Sequence, residues 1–180
     1  VTDSSAAERR AARAKVSYQH GEFEAAATGF AAAAQAYRHG GQELKAAEME
    51  NNQCVALVQL DRYQQAFQAV DGTAQTFEAA GDLEKAAQAH GNLGSALEGL
   101  GRLAEAETAY QRAAELFGQT GDSDQRAHTY KALARIRVRQ GQPLDAVTTM
   151  QLGLTDSRSR SLGNRLLGWI LQLPSRFLRG

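Results

Sequence analysis

The chain has 180 residues, 43% of them hydrophobic but only 7% aromatic, and its 20 basic and 20 acidic side chains cancel. Alanine-rich, aromatic-poor composition with two prolines suits closely packed helices and argues against a β-sandwich, which is built from Val, Ile, Thr and aromatic residues. A single cysteine, Cys54, excludes an internal disulfide, and no Cys/His cluster has zinc spacing, so a reducing, cytoplasmic setting is the expectation.

Taken from the start, the first ten residues hold no apolar run that would serve as a secretory signal. From there to the end the chain repeats itself. Shifted by 40 positions it registers without a gap: Gly21, Asp61, Gly101 and Gly141 share a column, and Gly41, Gly81 and Gly121 share a second that lapses at Ser161. Glycine is favoured just past a helix end because positive φ costs it little. These columns predict helix boundaries near residues 21, 41, 61, 81, 101, 121 and 141, with two helices of about eighteen residues per unit. The units are approximately 1–40, 41–80, 81–120 and 121–159, followed by a closing helix and tail over 160–180, all in one domain.

Between the turns, apolar residues recur at helical spacing. Ala26, Ala66, Ala106 and Ala146 form one column, and Phe30, Val70, Tyr110 and Met150 another, while Cys54 stands with Ala14, Gly94 and Ala134 where a small residue packs. Steps such as Ala106, Tyr110 and Ala113 place a stripe on one helix face. A single hairpin cannot bury such a stripe, so neighbouring hairpins must stack.

The run His90-Gly-Asn-Leu-Gly94-Ser-Ala-Leu97-Glu-Gly-Leu-Gly101-Arg-Leu103-Ala-Glu-Ala106-Glu-Thr-Ala-Tyr110-Gln-Arg-Ala113 resembles the tetratricopeptide-repeat signature. That family's usual unit has about 34 residues. The longer unit here is similar to the variants of kinesin light chains, Pins-type cell-polarity adaptors and many bacterial regulators. The resemblance spans residues 8–177, strongest in the third unit and weakest in the fourth, where Pro143 and Gly153 depart from the pattern. It implies an all-α, right-handed α-solenoid of about four helix-turn-helix repeats with a C-terminal capping helix, acting as a non-catalytic protein-binding scaffold.

The resemblance also implies a peptide-binding groove formed by the first helix of each unit. Its exposed inner columns are Ala11, Asn51, Gly91 and Lys131, then Lys15, Val55, Ser95 and Arg135, then Tyr18, Val58, Glu98 and Val138. A mixed polar and apolar lining suits an extended peptide or a helix. Lys131 and Arg135 stand four apart and could share an anionic group; this resembles part of the two-carboxylate clamp of chaperone-binding members, although Ala11 and Val55 replace its Lys and Asn. Residues 1–121 carry 10 basic and 16 acidic side chains and residues 122–180 carry 10 and 4, so the basic end favours an acidic partner segment.

No nucleophile elbow, phosphate loop or His-Glu-x-x-His motif occurs, the four histidines lie apart, and Gly121-Asp-Ser-Asp124 reads as a helix start. No catalytic residue, metal or cofactor is expected, and basic residues without interleaved aromatics argue against nucleic acid. At the C-terminal end, Leu166, Leu167, Trp169, Phe177 and Leu178 exceed one narrow stripe. Large exposed apolar patches mark contact sites, so this segment predicts a contact surface: self-association, a structural partner or, less favoured, a membrane surface, since arginines flank it. It falls far short of the roughly 20 apolar residues that span a bilayer.

Overall fold

The computed structural model describes residues 2–156. Among them lie nine helices and no strand: α1 (Thr2–Gln19), α2 (Phe23–His39), α3 (Glu43–Val58), α4 (Tyr63–Val70), α5 (Thr73–Ala79), α6 (Leu83–Gly99), α7 (Leu103–Thr120), α8 (Ser123–Arg139) and α9 (Pro143–Asp156). They form four hairpins, α1 with α2, α3 with α4 and α5, α6 with α7, and α8 with α9, stacked in chain order as an all-α solenoid.

All seven expected turns are present, and one device closes each of them. The amide that follows the turn residue bonds back five residues, as in Arg102 N to Leu97 O at 2.9 Å and Glu22 N to Ser17 O at 2.9 Å. That bond needs a left-handed residue just before it. Gly21, Gly41, Gly81, Gly101, Gly121 and Gly141 supply it with φ of 69° to 78°. Asp61 supplies it without being glycine, at φ 56°, and its carboxylate accepts the Tyr63 hydroxyl. Asp82 and Asp122 then cap α6 and α8, each accepting a backbone N–H at 3.1 Å.

One element departs from the sequence expectation. The second helix of unit two is broken between α4 and α5, where Gly72 turns left-handed at φ 80°. The buried Thr73 hydroxyl donates to Val70 O at 2.8 Å and caps the carbonyl freed by the break.

The core follows the columns. Ala26, Ala66, Ala106 and Ala146 are buried, as are Ala14, Cys54, Gly94 and Ala134. Gly94 has a reason for its size: a Cβ there would lie 2.8 Å from the Tyr110 ring. Two columns change character at the first and last of the described hairpins. Ala56, Ala96 and Ile136 are 0% exposed, yet Val16 at the same place in α1 is 49% exposed. Phe30, Val70 and Tyr110 are buried, whereas Met150 on α9 is 39% exposed. Each of the buried residues faces a neighbouring hairpin that Val16 and Met150 lack among the described residues.

Candidate functional site

The first helices α1, α3, α6 and α8 share one face, tied together by bonds that span nearly one repeat. Lys45 Nζ on α3 meets Glu8 on α1 at 3.4 Å, and Lys85 Nζ on α6 meets Glu48 on α3 at 2.8 Å. Forty residues separate both partners of one pair from those of the other, so the ion pair is itself repeated. Asn92 Nδ2 donates to Asn51 Oδ1 at 2.8 Å, again joining α6 to α3. Between α6 and α8 the link is Arg135, whose Nε and Nη2 reach the two oxygens of Glu98 at 2.6 and 2.7 Å.

At the α1 end this face opens into a cleft of about 370 Å³. Lys15, Tyr18 and Val55, all expected in the groove, line it together with Ala11, and the buried Phe30 and Met49 contribute apolar walls. The volume sits near the lower end of the ~300–1,000 Å³ typical of ligand pockets, enough for a single large side chain.

The middle of the face is polar. Val58 and Ser95 are half-buried, but Asn51 and Glu98, expected to be exposed, are buried. Glu98 is enclosed because Tyr110 from its own hairpin donates to it at 3.1 Å while Arg135 and Arg139 approach from the next one, Arg139 Nη1 at 3.3 Å. Burial alone would raise the Glu98 pKa; the hydrogen bonds and charge of Arg135, with Tyr110 and Arg139, outweigh it and hold the carboxyl below the usual range. Burial and that same carboxylate push the Tyr110 hydroxyl up.

At the α8 end Lys131 and Val138 are exposed, and Lys131 forms no ion pair among the described residues. Arg135 is more than half exposed while it holds Glu98. Arg137 meets Glu107 at 3.3 Å. Part of the basic character of this end is therefore used to join α8 to the hairpin before it. Sequence reasoning missed the roles of Tyr110 and Arg139 at Glu98; stacking the repeats at +37 and +41 residues would have paired both arginines with that acid. Leu166, Leu167, Trp169, Phe177 and Leu178 lie outside the described residues.

Among the described residues no group of three or more His, Cys, Asp or Glu side chains is placed to hold a metal ion. Cys54 is buried and its thiol is pushed up to about 12 by burial, so it is packed away from chemistry. His90 rests against Glu78 at 3.1 Å. No described helix is long and apolar enough to cross a membrane.

The Tetratricopeptide repeat family model matches residues 85–158. No curated protein sequence matches the chain. Among solved structures, BtubC (BKLC) from P. vanneervenii superimposes with a TM-score of 0.75 at 18% identity, over 83% of this chain and 62% of that one. The apo form of RapI gives 0.81 at 15% identity, over 96% of this chain and 48% of that one. A MamA fragment from Desulfovibrio magneticus RS-1 gives 0.67 at 18%, over 86% and 77%. At these identities the likeness is one of fold, and the chain spans only part of the first two proteins.

Proposed function

We propose that this chain, a tetratricopeptide-repeat solenoid, is a non-catalytic cytoplasmic adaptor that holds a segment of a partner protein along the shared face of its first helices. Proteins of this fold are generally interaction scaffolds, and function on a shared fold has to be argued from the site. The observation that carries the reading is the change of character along that face, from an apolar cleft between α1 and α3 to a row of cations, Lys131, Arg135 and Arg139, on α8. Three cations against the one carboxylate of Glu98 leave positive charge for an acidic stretch of the partner.

Site-specific photocrosslinking tests this in cells. A crosslinker at Lys15, Ser95 or Lys131 is expected to trap a common partner, and one at the exposed Thr28 or Gln68, on the second helices α2 and α4, is not. Equal trapping from both sets, or trapping from the second helices alone, contradicts the proposal.

A further inference from the structure

We infer that the outer face of the first hairpin, between α1 and α2, seats one helix of a partner protein, and that this helix carries a basic residue near its start and an acidic residue in its last turn. This surface lies apart from the shared face of the first helices, so the inference goes beyond the groove reading.

The cleft between α1 and α2 measures about 810 Å³; Val16, Gly29 and Ala32 line it together with the exposed Arg10, Arg13 and Glu22. The protein itself shows what such a cleft holds, because each later hairpin receives the second helix of the hairpin before it. Phe30 and Val70 share a core with Ala56 and Ala96, and Tyr110 shares one with Ile136. Four residues on stand Ala34, Ala74 and Ala114, and seven on stand Tyr37, Phe77 and Phe117, all buried. These aromatic rings lie at the start of the next first helix, where Lys45 and Lys85 stand over Tyr37 and Phe77 at 5.4 and 5.9 Å. Ala46 and Ala86 are 0% exposed there, yet Ala6 in their column is only half-buried, and Val16 is 49% exposed. Both positions on α1 await the same helix: a bulky apolar residue, Ala at +4 and an aromatic ring at +7.

The charges on that helix follow from the internal junctions. Arg38, in the last turn of α2, meets Glu50 at 2.6 Å, and Glu78, in the last turn of α5, meets His90 at 3.1 Å. At the third junction the same two columns hold Gly118 and Tyr130, neither of them charged. Arg10 stands in the column of Glu50, His90 and Tyr130, is exposed and forms no ion pair among the described residues. Its match is an acid at +8 in the last turn of the incoming helix, where the helix dipole also favours a cation alongside. Arg13 adds a second cation about one turn away. At the other end of the cleft Glu22 stands in the column of Arg62, which meets Glu24 at the start of α2 at 2.7 Å, so Glu22 matches a base. Thr28 stays outside, as Gln68 and Thr108 in its column stay exposed beside a seated helix.

A second copy of the chain does not fit. In register with Tyr37 and Arg38, the fourth unit carries Ser157 and Arg158, which would set a cation against Arg10. The occupant is a helix of opposite charge pattern.

Fluorescence anisotropy with synthetic peptides and the intact chain tests this. The probe is residues 23–39, which already carry Phe30, Ala34 and Tyr37, with Glu24→Lys and Arg38→Glu; the control keeps Arg38. The probe is expected to bind, and the control to bind about fivefold more weakly. Arg10→Glu in the chain should reverse that preference, and Val16→Arg should weaken both peptides; both positions are exposed, so the fold stands. Lys131→Glu, on the shared face, should change nothing. Tighter binding of the control to the intact chain would mean exchange with α2, whose seat at Glu50 selects Arg38, and overturns the inference. Absence of binding, indifference to Arg10→Glu and Val16→Arg, or sensitivity to Lys131→Glu also overturns it, and each leaves the groove reading standing.

Discussion

Arg135 on α8 grips Glu98 on α6 with two nearly equal bonds, 2.6 and 2.7 Å, and thereby locks the fourth hairpin to the third. Paired charges of this geometry are strong, and removing one member strands the other. Glu98→Gln is expected to destabilise the fold by about 1–3 kcal/mol. Glu98→Gln combined with Arg135→Met should cost less than the sum of the two single changes, measured by urea unfolding.

The same pair sets a pH dependence. The folded Glu98 pKa lies below its unfolded value, so the stability it contributes is present above the ordinary glutamate range, ~4.3. It is lost as pH falls through the depressed folded value. The stability gap between the parent and Glu98→Gln should therefore close in acid; a gap that widens there contradicts the assignment.

Two glycines of α6 should respond oppositely to alanine. Gly91 has nothing within 4 Å of a built Cβ, so Gly91→Ala should gain roughly 0.5–1 kcal/mol of helix propensity. At Gly94 the Cβ would sit 2.8 Å from the Tyr110 ring, and Gly94→Ala should lose about 1–3 kcal/mol. Thermal melts of the pair decide it. If both variants gain stability, the α6–α7 register is wrong.

The column positions make a related contrast. Ala106→Leu overpacks a position with no exposure and should cost about 1–3 kcal/mol, and Tyr110→Ala about 3–5 kcal/mol. Val16→Ser, at a position 49% exposed, should stay within about 0.5 kcal/mol, whereas Ile136→Ala in the same column should cost about 2–5 kcal/mol. Equal effects at Val16 and Ile136 would remove the stacking order.

Much of this was legible in the sequence because glycine at positive φ and alanine at close contacts are demanded locally. The turns at Gly21 to Gly141 and the buried alanine column needed no knowledge of neighbours. The break at Asp71–Gly72 was missed because it falls inside an apolar periodic stretch, although Asp-Gly is itself a turn signal. The burial of Asn51 and Glu98 was missed for another reason. Their columns point toward the shared face, but what covers them comes from hairpins one repeat away, Asn92 for one and Arg135 with Arg139 for the other. Periodicity gives direction; enclosure depends on which side chains the next unit presents.

The shared face of the first helices as the ligand-holding surface is tested most directly by NMR titration of the intact chain with a library-selected peptide. Shift changes are expected along α1, α3, α6 and α8, at Lys15, Tyr18, Val55, Ser95, Lys131 and Arg139. Changes confined to the second helices α2, α4, α5, α7 and α9 would contradict it.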